Sequence, residues 1–245
     1  MKKICKMVWV VFLFTLFWPI TENRIHAQTN DLLISEVYYD TVGDDNLEEW
    51  IEIYNPTNQT INLSNYKIGD EETKGGNEGM YQFPPEAVIA AGEQKVIAKN
   101  AIGFYALYKK YPDWEILTTD DEIGDFSETP DMNKYSSWGS GSLSFTNTGD
   151  EVLLINENDI VVDAVVFESG SYENVVKNNG VATGHSISRI LDQPDTDNCQ
   201  NDFEDEVVPH PGYDNVFEAG DYFSQVGVEQ NDNNASKGTY WSAEN

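Results

Sequence analysis

Side-chain oxygens dominate the residues of this sequence that could do chemistry. The segment DQPDTDNCQND brings Asp192, Asp195, Asp197, Asn198, Asn201 and Asp202 within eleven residues. Calcium takes six to eight oxygens from carboxylates, amides and backbone, commonly from closely spaced ligands on a turning loop. This loop is therefore a candidate Ca2+ site, with Asp192, Asp195, Asp197, Asn198 and Asp202 as ligands. Asp40, Asp44, Asp45 and Asn46 offer a second candidate, and Asp120, Asp121, Glu122 and Asp125 a third. None has the alternating aspartates and glycine of an EF-hand. The competing reading of each is an acidic loop in contact with water.

Catalytic sets are nearly absent. Beyond residue 27 the chain has two histidines, His185 and His210, and one cysteine, Cys199. Neither histidine falls in an HExxH spacing, and there is no GxSxG elbow or phosphate loop. Cys199 lies in an acidic stretch, where neighbouring negative charge suppresses the reactive thiolate. A packed cysteine is expected there rather than a nucleophile. Carboxylate pairs of the kind glycosidases use lie about 5 to 10 Å apart, but so many acidic residues guarantee such pairs by abundance. No catalytic residue is assigned. Trp114, Tyr135 and Trp138, in an irregular stretch, are the candidate partner-binding residues, as an exposed aromatic patch would be, with packing in the core expected of at least one of them.

The N-terminus reads as an export signal. Lys2, Lys3 and Lys6 precede an apolar run over residues 7–18 that is broken only by Thr15. About 12 residues are too few to span a bilayer, which needs roughly 20. The polar stretch that follows ends in Ile25, His26 and Ala27, so cleavage is expected before Gln28, with an uncleaved anchor as the alternative. Removing residues 1–27 takes away four basic residues and one acidic residue. That leaves ten basic against 42 acidic residues and a net charge of −32. Nucleic acid is bound through lysines and arginines that displace counterions. Nucleic acid and anionic membrane are thus excluded as partners. With one cysteine left, no internal disulfide can form, and the core must hold the domain together.

The elements that would position these groups are short strands. Residues 32–39 and 49–54 are rich in β-branched and aromatic types. In the second, Ile51 and Ile53 alternate with Trp50, Glu52 and Tyr54. Asn55, Pro56, Thr57 and Asn58 then form a turn. Residues 88–98 read as two strands around Ala91, Gly92 and Glu93. VLLI and IVVDAVVF, separated by Asn156, Glu157, Asn158 and Asp159, form a hairpin. Both are apolar on both faces, as central strands would be. The pattern is that of an all-β sandwich. Residues 99–145 form a long insertion with one helix over 101–110, stopped by Pro112, and an acidic surface loop over 120–131. Residues 217–245 have little apolar periodicity and read as a mobile tail.

Five motifs in order carry a resemblance to a known family. They are LLISEVYYD (32–40), EEWIEIYNPTNQTINLSNYKIGD (48–70), VIAAGEQKVIAKN (88–100), TNTGDEVLLINENDIVVDAVVF (146–167) and HSISRILDQPDTDNCQNDFEDEVVPHPGYDN (185–215). The chain resembles the lamin tail domain family, which is also found in bacterial exported proteins. The resemblance implies an immunoglobulin-like β-sandwich over residues 28–216. It points to a non-catalytic binding or scaffolding module for a protein or polysaccharide on a cell surface, which the export signal makes secreted and for which the acidic loops make Ca2+ a candidate stabiliser. The alternative is a secreted hydrolase, or an accessory domain of a polymer-degrading enzyme, that uses acidic residues.

Overall fold

A computed structural model describes residues 31–116, 125–191 and 193–212. The expected export signal, the tail at 217–245 and Asp192 lie outside them. In chain order the first elements are β1 (Leu33–Tyr38), α1 (Asp45–Glu48), β2 (Trp50–Tyr54), β3 (Ile61–Asn62), β4 (Lys67–Gly69), β5 (Met80–Gln82), β6 (Val88–Ile89) and β7 (Gln94–Ala98). There follow α2 (Ala101–Tyr108), β8 (Trp114–Glu115), β9 (Asn133–Lys134), β10 (Gly149–Ile155), β11 (Val161–Glu168), β12 (Ser186–Arg189), α3 (Cys199–Asp202) and β13 (Phe203–Glu206).

The strands form two main sheets, one ordered β13-β12-β1-β2-β7-β8 and the other β11-β10-β4-β5-β9, with β3 and β6 as a separate ribbon. Ile34, Val37, Ile51, Ile53, Ile97 and Ile187 of the first sheet share one core with Ile68, Tyr81, Val152, Leu154, Val165 and Phe167 of the second. This is the expected sandwich, and β2 keeps its alternation. Its other side is covered as well. Trp50 packs with Tyr38, Val96 and Ala98 beneath Phe104 and Tyr108 of α2, and its Nε1 donates to Tyr108 Oη at 3.1 Å.

Helix α2 begins where the Asn100 side chain accepts from the amides of Ile102 and Gly103, satisfying two of its open donors. It ends at Lys109, which takes the left-handed conformation at φ 55°, three residues before the proline expected to stop it. Gly103 lets it approach α1, since a Cβ there would lie 2.3 Å from the Leu47 carbonyl oxygen.

The stretch 99–145 contributes more than a helix. β8 runs parallel to β7, with Ile97 opposite Trp114, and β9 pairs with β5. Trp114, Ile116, Met132, Leu143 and Phe145 all join the main core.

The hairpin of β10 and β11 holds one register from Gly149 opposite Glu168 to Leu154 opposite Asp163, then shifts by one residue so that Ile155 faces Val161. Its second strand is not central, however, but lies at the sheet edge. It is apolar on both faces because Val165 and Phe167 enter the main core while Val161 and Ala164 pack with Tyr172 and Val175 on the other side. Asn178 covers that edge by donating to Val166 O and accepting from Glu168 N, both at 2.8 Å.

Candidate binding surface and acidic centres

Three acidic side chains converge where α2, β8 and the chain at 125–132 meet. Glu115 is fully buried. Its backbone is fixed on both sides, its amide donating to Pro130 O at 3.1 Å and its carbonyl accepting from Met132 N at 2.8 Å, so that Asp131 lies beside it. Its Oε2 accepts from the Ala101 amide, at the first turn of α2, at 2.8 Å. Its Oε1 makes no hydrogen bond, although the Phe126 amide favours the ionised carboxyl from nearby. Carboxylate oxygens of Glu115, Asp125 and Asp131 lie within 4.8 Å of one another, the two aspartates being exposed. Burial pushes the Glu115 carboxyl up to about 7, and repulsion from Asp125 and Asp131 adds to this.

A row of aromatic rings adjoins this centre. Phe126 stacks on Tyr111 with centroids 3.9 Å apart and planes 4° apart, and Tyr111 stacks on Tyr105 at 4.6 Å and 20°. Lys109 Nζ lies 5.9 Å from the Tyr105 ring. Tyr105 and Tyr111 are 39% and 43% exposed. Tyr105 is on the water-facing side of α2, while Phe104 and Tyr108 face inward. Sequence reasoning missed this row. Its signal was a tyrosine out of phase with the apolar face of the helix, followed by another just past the helix end.

The aromatics singled out from sequence do not form an exposed patch, and that expectation is corrected. Trp114 is buried on β8 with its ring edge-on to Phe83 at 5.0 Å. Trp138 is buried with Nε1 donating to Glu71 O at 2.9 Å. Tyr135, partly buried, packs with it against Met80 and Leu153. Lys67 Nζ lies 4.9 Å from the Tyr135 ring. Short strands at β8 and β9 draw these side chains inward.

The acidic loops are held by protein partners. Asp195 Oδ1 accepts from Arg189 Nη1 at 3.0 Å. Asp202 accepts from Thr196 N, Thr196 Oγ1 and Asn198 N at 2.7 to 3.1 Å, closing the turn. Asp197 takes positive φ, and the buried Asn198 Oδ1 makes no hydrogen bond. At the second loop, Asp44 caps α1 through the Asn46 amide, and Asp45 accepts from Thr41 N and Oγ1. Asp40 accepts from Thr183 Oγ1 and Asn147 Nδ2. Of the third candidate, Asp120, Asp121 and Glu122 lie outside the described residues and Asp125 belongs to the centre at Glu115. A further trio, Glu71, Glu72 and Glu78, also converges, but there Glu71 caps a turn by accepting from Thr73 N and Glu78 N.

One pair of carboxyls is hidden. Glu36 on β1 and Glu52 on β2 stand opposite each other on the outer side of the six-stranded sheet, beneath residues 206–212. Glu36 Oε1 accepts from Ser186 Oγ and from His210 N. Glu52 accepts from Ser35 Oγ at 2.7 Å, Gln94 Nε2 at 2.6 Å and Gly212 N. Lys110 Nζ donates to Pro211 O. Burial pushes both carboxyls above their ordinary range, and the charge of Glu36 raises Glu52 further.

Among the described residues the hydrogen bonds join no serine or cysteine to a histidine, and the hydroxyls of Ser35 and Ser186 that meet Glu52 and Glu36 are buried. Cys199 is buried with its sulfur against the Ala164 and Val166 backbone, and burial pushes its thiol up to about 11. His185 Nδ1 pairs with Asp205 at 2.7 Å, and His210 sits between Glu36 and Glu206.

Two sheets of mixed strand order, antiparallel except where β8 joins β7, pack around one core and define a β-sandwich module. The model of the Lamin Tail Domain family matches residues 26–169, and the chain belongs to that family. β12 and β13 lie beyond the matched residues yet complete the six-stranded sheet. No curated protein matches the chain. Among solved structures, a DUF4876 family protein from Bacteroides thetaiotaomicron is similar, with 16% identity and a TM-score of 0.53, covering 73% of this chain and 72% of that one. At that identity the likeness concerns the fold alone.

Proposed function

We propose that the protein is a secreted, non-catalytic attachment module that engages a protein or polysaccharide at a cell surface through Tyr105, Tyr111 and Phe126. The row of stacked rings carries the reading. Two large aromatic side chains, each about two-fifths exposed and adjacent, keep apolar surface in water that a partner can cover. Because the rings already hold one another in place, a partner meets them with little further ordering to oppose binding. The acidity of the chain favours neutral or basic partners over anionic polymers. The hydrolase alternative needs an open cleft with two carboxylates, whereas the opposed pair Glu36 and Glu52 is covered by residues 206–212.

The test is co-sedimentation of the chain from residue 28 with cell-envelope fractions and with insoluble neutral polysaccharides. Tyr105→Ala/Tyr111→Ala is compared with Ile160→Ala, which alters an exposed apolar residue elsewhere. At least a tenfold loss confined to the tyrosine variant, with Tm kept, supports the reading. Equal binding by both variants overturns it.

A further inference from the structure

We propose that Glu115, Asp125 and Asp131 form a divalent-cation site of calcium type that fastens the chain at 125–131 to β8 and α2. The three carboxylates come from a strand and from the segment that returns beside it, and their oxygens fall within 4.8 Å of one another. Calcium bonds oxygen at about 2.3 to 2.6 Å, so oxygens on opposite sides of one ion stand up to about 4.6 to 5.2 Å apart. One Ca2+ therefore spans this group as it stands. Magnesium, at about 2.0 to 2.1 Å, demands a near-ideal octahedron, whereas calcium accepts irregular sets of oxygens.

Convergence of acids is common on so acidic a chain, and a second observation sets this trio apart. Glu115 is fully buried and one of its oxygens, Oε1, makes no hydrogen bond. A buried acceptor without a hydrogen bond costs free energy unless something completes it. The other oxygen is held by the Ala101 amide, which fixes the side chain in place. The exposed Asp125 and Asp131 leave the water side open, where solvent can fill the remaining ligand positions of the ion. The trio at Glu71 lacks this feature, because both Glu71 oxygens already accept backbone amides.

Asp125 precedes Phe126, whose ring ends the exposed aromatic row. A cation held by Asp125 therefore also holds Phe126 against Tyr111. That coupling to partner binding rests on the function proposed above, while the cation site itself does not.

The experiment uses the chain from residue 28, stripped with EDTA and titrated with Ca2+, Mg2+ and NaCl at matched ionic strength, with Tm and calorimetric stoichiometry as readouts. Wild type is expected to bind Ca2+ at this site and to gain about 5 to 10 °C in Tm at a hundredfold excess over Kd. Asp125→Asn/Asp131→Asn is expected to melt at or above the wild-type temperature in EDTA, because repulsion is relieved. It should nevertheless lose one Ca2+ equivalent and most of the calcium-induced rise. Glu72→Gln/Glu78→Gln keeps both. The proposal is overturned if the aspartate variant keeps the wild-type stoichiometry and rise, or if Mg2+ or NaCl raises wild-type Tm as much as Ca2+. A partner-binding assay of the same aspartate variant separates the two ideas. Loss of the Ca2+ response with unchanged partner binding leaves the site standing and removes only its coupling to the rings.

Discussion

Replacing Arg189 with methionine should destabilise the fold more than most single changes. The guanidinium is 2% exposed and bonds in three directions. Its Nε donates to Ile34 O at 2.7 Å, Nη2 to Asp163 at 2.7 Å and Nη1 to Asp195 at 3.0 Å, while its face lies 4.3 Å from the Phe203 ring. It thereby links β1, β12 and β13 of one sheet to β11 of the other. Methionine fills much of the same space but leaves Asp163, also 2% exposed, with only the amides of Ile34 and Ala164. Removing one partner of a buried ion pair costs about 3 to 5 kcal/mol. For a domain of this size each kcal/mol lowers Tm by about 2 to 4 °C, so a fall of about 6 to 20 °C is expected.

The loss should depend on pH in a definite sense. Burial already pushes the Asp163 carboxyl up to about 6 despite the opposing pull of Arg189. Without the arginine it rises further. A carboxyl raised in the folded state favours folding at low pH and loses that contribution as pH climbs through its folded value. The variant should therefore lie nearest wild type at about pH 4 to 5 and furthest from it near pH 8. Urea denaturation at both pH values, with Asp163→Asn and the double variant completing a cycle, measures the coupling. A loss under about 1 kcal/mol at pH 8, or additive single effects, would refute the reasoning.

Two other outcomes follow from the structure. Burial raises Glu52 from 4.5 to about 7 and Glu36 from 4.5 to about 8, so the folded state keeps protons that the unfolded chain has lost and wild-type Tm should decline between about pH 4.5 and 8, and Glu52→Gln should flatten that decline in thermal melts. Gly103→Ala would ordinarily stabilise a helix interior by about 1 kcal/mol. Here the new Cβ would strike the Leu47 carbonyl oxygen at 2.3 Å, and forcing the backbones apart costs about 1 to 3 kcal/mol, so urea melts should show a net loss.

What could be read from the sequence was local. Ile51 and Ile53 alternate within one strand, and the hairpin of β10 and β11 closes over adjacent residues, so both were legible. β8 and β9 are two residues each, too short for any periodicity, and form only because distant strands β7 and β5 receive them. Trp114 and Trp138 consequently looked like surface aromatics when they were core. The centre at Glu115 joins residues ten and sixteen positions apart through a single bridge, a relation that spacing does not encode. The loop at 192–202 showed the opposite problem. Its aspartates are spaced like ligands, yet Asp195 answers an arginine and Asp202 ties its own turn.

The cover over Glu36 and Glu52 has a mechanical consequence. The chain beyond Gly212 departs from a point fastened by Gly212 to Glu52, by Lys110 to Pro211 and by His210 to Glu36. A pull on that end reaches these fastenings before it reaches the rung between Glu206 and Ser186, and Phe203 opposite Arg189 gives way last. Two of these fastenings end on carboxyls whose charge varies with pH, whereas the last rung is anchored in the core. Under tension the module would yield in stages, with acidity setting the strength of the first stage and packing that of the last.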